Sequence, residues 1–386
     1  MPRFSTTPAQ IGGVRGLVAS LVFKTSVPHY VGGGFDSHPL PPFFKKKELM
    51  KRRDFLGFAA LILPSAAPVA ADAPRVLITQ FTYTVAVLAA PASTQAEDVW
   101  LPIPSDSPWQ TISSLTVTAP VSYKITTDLH YGNRMVYLHD TQPAQPLQVT
   151  VQFIVARKQV GVLNNASASL FSLASGIAPD TRVPVGGRFA GIAKQVTLDD
   201  KTPLQKEHNL FKHVVATMHY DSKKTSPKYA QGDSAFVCDY KSGNCSDLHS
   251  YLISLSRSLG IPAVLEFGFP LSGIPVASPL PADGKIAGYH CWVWFQDKQR
   301  GWVPLDAADA RRWTDAGQQT ISDSLFGGLV LERTAVAVSC GRDLTLSPPQ
   351  KAGPLNYFIY PYAEADGKTV PASWTLTYHV LSDSSH

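Results

Sequence analysis

The spacing of apolar positions along this 386-residue chain changes character twice. Between residues 76 and 156 they fall in short alternating runs, at 76–88, 113–118, 123–127, 134–138 and 147–156. Trp100-Leu101-Pro102-Ile103-Pro104 reads as a further strand ending in a rigid turn. Alternation with period two is the mark of a half-buried strand, and Pro, Asp and Gly-Asn separate the runs. A small sandwich of antiparallel sheets is predicted over 74–158. Residues 159–202, rich in Ala, Gly, Ser and Pro, read as linker and loops. From Pro203 the period becomes helical: Leu204, His208, Phe211, Val214, Val215 and Met218 share a face, and Tyr220-Asp221 ends the helix. A second helix puts Cys245, Leu248, Leu252, Leu255 and Leu259 on one side and stops at Gly260 and Pro262. Strand patterns then return at 261–269, 289–295 and 301–306, with Gln296–Arg300 as a turn, and again near 335–339, 355–362 and 374–380. Strands followed by helices and more strands predict an α+β chain.

Charge changes this picture little in the folded part. The formal net charge is +5, but residues 1–71 hold nine Lys or Arg against three Asp or Glu, and the rest is close to neutral. A nucleic-acid surface needs its excess on the folded part, so none is expected. Residues 1–49 lack periodicity and read as a disordered or mis-annotated extension ahead of a true start at Met50. Met50-Lys51-Arg52-Arg53, the apolar run 58–63 and the small residues toward Ala71 and Ala73 resemble a twin-arginine signal peptide over 50–73, cut after Ala71. Pro64 and Pro68 break the run, which is too short to span a bilayer. The mature protein is expected in the periplasm or secreted, with no membrane anchor.

The candidate chemistry gathers on the second helix. Cys245 stands at its N-terminal end, where unpaired N–H groups and the positive end of the dipole favour a thiolate and can face an oxyanion. The bland alternative is a core cysteine. A hairpin centred on Lys298 would place Trp294 opposite Trp302 and His290 opposite Asp306, within side-chain reach. Nucleophile, imidazole base and orienting carboxylate are the parts of covalent catalysis. His249, four residues after Cys245, is a rival base with no acid near it in sequence. Asp309 is the reserve acid if the register shifts. Asp247, in the first turn, suits the dipole and supports the cysteine structurally. Pro304 marks the return strand as an edge or as irregular. Cys291 should alternate away from His290 into the core. Cys238 is a buried thiol or, in an oxidising compartment, a disulfide partner. Cysteine spacing and the scattered His130 and His139 assemble no zinc site, and no metal or cofactor is expected.

Gly243-Asn244-Cys245-Ser246-Asp247-Leu248-His249-Ser250, Gly288-Tyr289-His290-Cys291-Trp292-Val293-Trp294-Phe295 and Gly301-Trp302-Val303-Pro304-Leu305-Asp306-Ala307-Ala308 together resemble the bacterial transglutaminase-like superfamily. The resemblance implies a papain-like/transglutaminase-like catalytic core over 203–386, closed by C-terminal strands and preceded by the β domain as an accessory module. It implies Cys245 as nucleophile, His290 as base and Asp306 as its orienter, and Tyr220-Asp221 matches a Tyr-Asp of the family. The family includes proteases, amidases, protein cross-linkers and members without demonstrated activity. A cysteine-dependent peptidase or amidase acting on a peptide or protein amide is therefore expected, with a protein-glutamine transamidase or a non-catalytic exported binding module as the alternatives. The N–H of Cys245 would serve the oxyanion, with Tyr240 or Trp292 as further donors and Tyr220 lining the cleft. The segment 270–288, without periodicity, is a candidate cleft rim. Arg342-Asp343 reads as a turn salt bridge, with a brace of the cleft as the alternative.

Overall fold

A computed structural model describes residues 76–88, 93–143, 146–158, 160, 171–271, 280–329 and 335–384. The stretches expected to be extension and leader, and part of the 270–288 segment, lie outside the described residues. β1 (Val76–Val87) alternates without a break, burying Leu77, Thr79, Phe81, Tyr83, Val85 and Val87. β2 (Glu97–Pro102), β3 (Gln110–Thr118), β4 (Tyr123–Thr127), β5 (Arg134–Asp140) and β6 (Leu147–Lys158) follow. β1 and β6 pair antiparallel along their whole lengths, from Val76 opposite Lys158 to Val87 opposite Leu147. Val99, Leu101, Val136 and Leu138 of a second sheet share one core with Phe81, Tyr83 and Phe153 of the first, so the two sheets face each other as a sandwich.

The C-terminal strands correct the expected boundaries. β14 (Tyr362–Ala365), β15 (Lys368–Val370) and β16 (Ala372–Asp383) join these same sheets rather than the second half of the fold. β16 lies along β1 from Leu77 opposite Asp383 to Val87 opposite Ala372, and the amide of Val76 donates to Ser384 Oγ at 2.6 Å. β10 (Asp283–Ile286), inside the segment expected to be loop, extends the sheet beyond β16. The strand orders are β10-β16-β1-β6-β3 and β15-β14-β2-β5-β4. Alternation identifies a strand but not its partner, so these distant pairings were hidden in the sequence.

A third sheet, ordered β12-β11-β9-β13, carries the candidate chemistry. It comprises β9 (Ala263–Pro270), β11 (His290–Asp297), β12 (Gly301–Leu305) and β13 (Ala335–Cys340), all antiparallel. Pro304 does stand on an edge strand. α1 (Leu173–Ile177) and α2 (Gly187–Val196) occupy the stretch expected to be linker and loops. α2 buries Phe189 and Ala193, and Gly186-Gly187 at its start masks it in sequence. α3 (Pro203–Thr217) begins with a capping box between Thr202 and Gln205 and Pro at its first turn. α4 (Ser234–Tyr240) precedes α5 (Cys245–Ser258), and short β7 (His219–Tyr220) and β8 (Ser242–Gly243) pair in parallel beside them. α6 (Ala307–Asp315) and α7 (Gln319–Ser324) follow β12.

α5 is the hub. Every residue from Cys245 to Arg257 is buried, so the side that carries Ser246, Ser250 and Ser254 is covered as well as the apolar stripe. Small hydroxyls make this tolerable: Ser250 Oγ donates to the carbonyl of Ser246 at 2.6 Å and Ser256 Oγ to that of Leu252 at 2.9 Å. Buried Arg342 braces the same helix through Ser250 Oγ at 2.6 Å and the Ser246 carbonyl at 3.3 Å. It does not pair with Asp343, which instead accepts the amide of Thr181.

Ser256 Oγ also lies 2.8 Å from Glu207 Oε1 of α3, and burial pushes that carboxyl up to about 8 from its ordinary 4.5. The folded value is raised, so stability is greatest below the unfolded value and declines as pH rises toward about 8. Glu207→Gln, a mimic of the protonated acid, is expected to be more stable than wild type by up to about 3 kcal/mol at pH 7 and equal to it near pH 4. Thermal denaturation across that range reads the difference. Equal pH dependence in the two proteins would refute it.

Candidate active site

The N-terminus of α5 is fixed before any chemistry is considered. Asn244 is the N-cap: its Oδ1 accepts the amide of Asp247 at 3.2 Å, and Asp247 Oδ2 accepts the amide of Asn244 at 3.0 Å. The Asp247 carboxylate also takes the amides of Ala230 at 2.8 Å and Gly232 at 2.7 Å, tying the loop before α4 to the helix. A side chain at Gly243 would lie 2.4 Å from Asp247 Cβ, so glycine lets this acid approach. Asp247 thus closes the cap at this end of α5. Cys245 follows at the first helical position, where its N–H has no acceptor within the helix, and its side chain is fully buried.

His290 opens β11 opposite Gly268 of β9. A Cβ at Gly268 would come within 2.6 Å of the Trp292 ring, whose centroid lies 6.3 Å from that of His290. The Trp292 indole N–H donates to Glu266 Oε2 at 2.6 Å, so it is not directed at an oxyanion. Tyr240 is also removed from that role: its ring stacks on Phe236 and is 44% exposed. Tyr220 lies under the Arg312 guanidinium at 5.0 Å, and Arg312 in turn reaches Asp309 Oδ1 at 3.3 Å.

The hairpin register differs from expectation. Asp297 pairs with Gly301 and Trp294 faces Pro304, not Trp302. Asp297 Oδ1 accepts the amides of Gln299 and Arg300, and Gly301 takes a left-handed φ of +78°, which together set a three-residue turn. Asp306 consequently lies past the end of β12, as the N-cap of α6. Its Oδ1 accepts the amide of Asp309 at 2.9 Å, and its Oδ2 sits 2.7 Å from His290 Nε2. The pair forms through a helix cap rather than across a strand ladder.

Further groups complete the cluster. Asp309 Oδ2 lies 3.4 Å from His290 Nε2. His249 Nε2 lies 3.3 Å from Asp306 Oδ1 and 3.2 Å from the amide of Ala308. Its Nδ1 is 3.6 Å from Cys291 Sγ. Cys291 does turn into the core, but that core is the α5 face, and it reaches Cys245 there. With Nε2 of His290 engaged by Asp306, Nδ1 is the ring nitrogen left to act on Cys245, whose thiol the imidazole makes easier to ionise. All four cysteines are free, so Cys238 forms no disulfide.

Burial dominates the electrostatics. It pushes the Cys245 thiol well up, with Cys291 adding to the effect and His290 opposing it. Burial works to lower His290, but Asp309 and Asp306 overcome it and hold the imidazole well above its usual value. Burial likewise works to raise Asp306, yet the two histidines keep it well below the carboxylate range. Asp309 is pushed up to about 6 by burial and by the charge of Asp306. The shielded pocket therefore favours a neutral thiol beside an imidazole that binds a proton strongly. Solvent or a polar ligand reaching Sγ would ease the thiol's ionisation. Donor atoms of His290, Asp306 and Asp309 lie within 4.8 Å of one another, near enough to share an ion. Hydrogen bonding between the imidazole and its carboxylates accounts for that closeness.

Cys245, His290 and Asp306 are thus brought together, with Asp309 beside them. His249 shares the acid with His290, a partnership that its spacing from Cys245 alone does not announce. The signal was present in Asp306-Ala307-Ala308-Asp309, an N-cap followed by an acid three residues on.

Residues 190–307 match the transglutaminase-like superfamily, a stretch running from within α2 to the start of α6. The core of this chain is a transglutaminase-like domain. An uncharacterized protein of Haemophilus influenzae is 22% identical over 318 residues, covering 75% of this chain and 86% of its own. A candidate cysteine protease from Cytophaga hutchinsonii shares the fold with a TM-score of 0.50 at 11% identity, covering 81% of this chain and 92% of the other. The periplasmic domain of TgpA from Pseudomonas aeruginosa is 14% identical, with a TM-score of 0.32 over 63% of this chain and 91% of its own. Among the described residues, no helix is long and apolar enough to cross a membrane.

Proposed function

We propose that the protein is a cysteine-dependent hydrolase of amide bonds, a peptidase or amidase. The observation that carries this is the buried His290–Asp306 pair, 2.7 Å apart, whose imidazole acts on the thiol of Cys245 at the head of a buried, capped helix. In the reaction, His290 Nδ1 takes the Sγ proton and the thiolate attacks the amide carbonyl carbon. The oxyanion faces the N–H of Cys245 at the helix N-terminus. The C–N bond breaks as the imidazolium returns its proton to the leaving amine. Water, deprotonated by the same imidazole, then attacks the thioester, releasing the carboxylic acid and restoring the thiol. Asp306 holds the ring with its Nε2 proton toward the acid. The twin-arginine-like leader supports a periplasmic or secreted place of work.

The test is to mix the protein with a panel of peptide amides and follow amine release alongside intact mass. Amide cleavage with a transient acyl adduct on the Cys245 peptide is the expected result. Product formed only when a primary amine is added would replace hydrolysis with transamidation. A folded protein that forms neither adduct nor product across the panel would leave the non-catalytic binding module as the better account.

A further inference from the structure

We propose that His249 is a positioning residue for Asp306, holding the acid from the side opposite His290; this rests on the hydrolase reading of the same site. The two histidines meet one carboxylate at different oxygens, His290 at Oδ2 (2.7 Å) and His249 at Oδ1 (3.3 Å). His249 is fully buried on α5, one turn after Cys245, so its ring is carried by the helix that carries the nucleophile. Asp306 belongs to the corner between β12 and α6. Asp309 and His290 are the other titratable groups against that carboxylate.

The Nε2 edge of His249 touches two groups on this corner, Asp306 Oδ1 and the amide of Ala308. One nitrogen cannot make both bonds at once. Protonated, it donates to Oδ1 while Nδ1 accepts from the Cys291 thiol. Unprotonated, it accepts the Ala308 amide, an orphan donor in the first turn of α6, while Nδ1 donates to Cys291 Sγ at 3.6 Å. Either tautomer pins the Asp306–Ala308 corner to α5. Nucleophile, base and acid come from three separate elements, and His249 is the side chain that fixes the distance between the first and the last. Displacements of about 1 Å in such a constellation cost on the order of 100-fold in rate.

Glutamine and asparagine substitutions separate this role from packing. The longer glutamine amide reaches the place of Nε2 and can accept from Ala308 while donating to Oδ1, whereas the shorter asparagine amide reaches only the place of Nδ1. His249→Gln is expected to keep kcat within about threefold of wild type and His249→Asn to lose about 10- to 100-fold in kcat with KM unchanged. A second readout needs no turnover: in protein labelled with 15N-histidine, the downfield proton of the His290–Asp306 hydrogen bond should persist in His249→Gln and broaden or vanish in His249→Asn. Equal behaviour of the two His249 variants in kcat and in the proton signal would overturn the proposal. If wild type cleaves no amide, the hydrolase reading fails by itself and the proton signal alone decides the role of His249.

Discussion

Cys245→Ala is expected to abolish amide cleavage, lowering kcat by about 10⁴- to 10⁶-fold, the scale on which removal of a nucleophile acts. Stability should change little by comparison. The substitution removes one atom from a helix position whose cap is built by Asn244 and Asp247, and neither bond involves the thiol. It also removes a group that burial disfavours once charged. Helix, sheet and cap should persist, with melting shifted by only a few degrees, so lost activity cannot be charged to unfolding. Initial rates on any peptide amide that wild type cleaves, with a melting curve on the same sample, make the comparison. A variant retaining a tenth of the wild-type rate would remove Cys245 from the chemistry.

Asp306→Asn is expected to lower kcat by about 10³- to 10⁴-fold while leaving α6 in place. Asparagine is a good N-cap, so its Oδ1 can still accept the amide of Asp309 as the acid does at 2.9 Å. That choice turns its Nδ2 toward His290 Nε2, which must then present a lone pair. The ring proton moves to Nδ1, the edge facing Cys245, and the base is blocked by its own hydrogen. Flipping the amide frees the imidazole but opposes Nδ2 to the Asp309 amide, so cap and catalysis cannot both be served. Loss of one carboxylate also moves the imidazole down toward its usual value, because Asp306 and Asp309 are what hold it up. Asp309 should fall from about 6 toward the ordinary range once the neighbouring charge is gone. Kinetics and a pH titration of the variant check both parts; a rate within tenfold of wild type would show that the carboxylate does not govern the ring.

The parts of this site could be read in the sequence; their joints could not. The helix from Cys245 announced itself through its apolar spacing and its stop at Gly260, where φ is +75°. The hairpin was legible from aromatic runs on either side of a polar turn, and Pro304 from its unfitness for an interior strand. The register was not, because it depends on Asp297 capping two amides within the turn. His249 looked unaccompanied because Asp306 is remote in sequence and is brought to it only by the packing of α6 against α5. Similarly, the apolar stripe of α5 did not announce that its serine side is buried as well, where the hydroxyls of Ser250 and Ser256 bond back to the preceding turn.

The pairing of β16 with β1 has a consequence for how the molecule is made. Val76 and Ser384, joined by a hydrogen bond, are separated by 308 positions along the chain. A ribosome emitting this protein delivers β1 long before the strand that completes its sheet, and for that interval one side of β1 has no native neighbour. The α5 region can gather its local contacts early, while the sandwich must wait for synthesis to reach β16. Nascent chains halted before that point should be the ones most easily lost to aggregation or proteolysis.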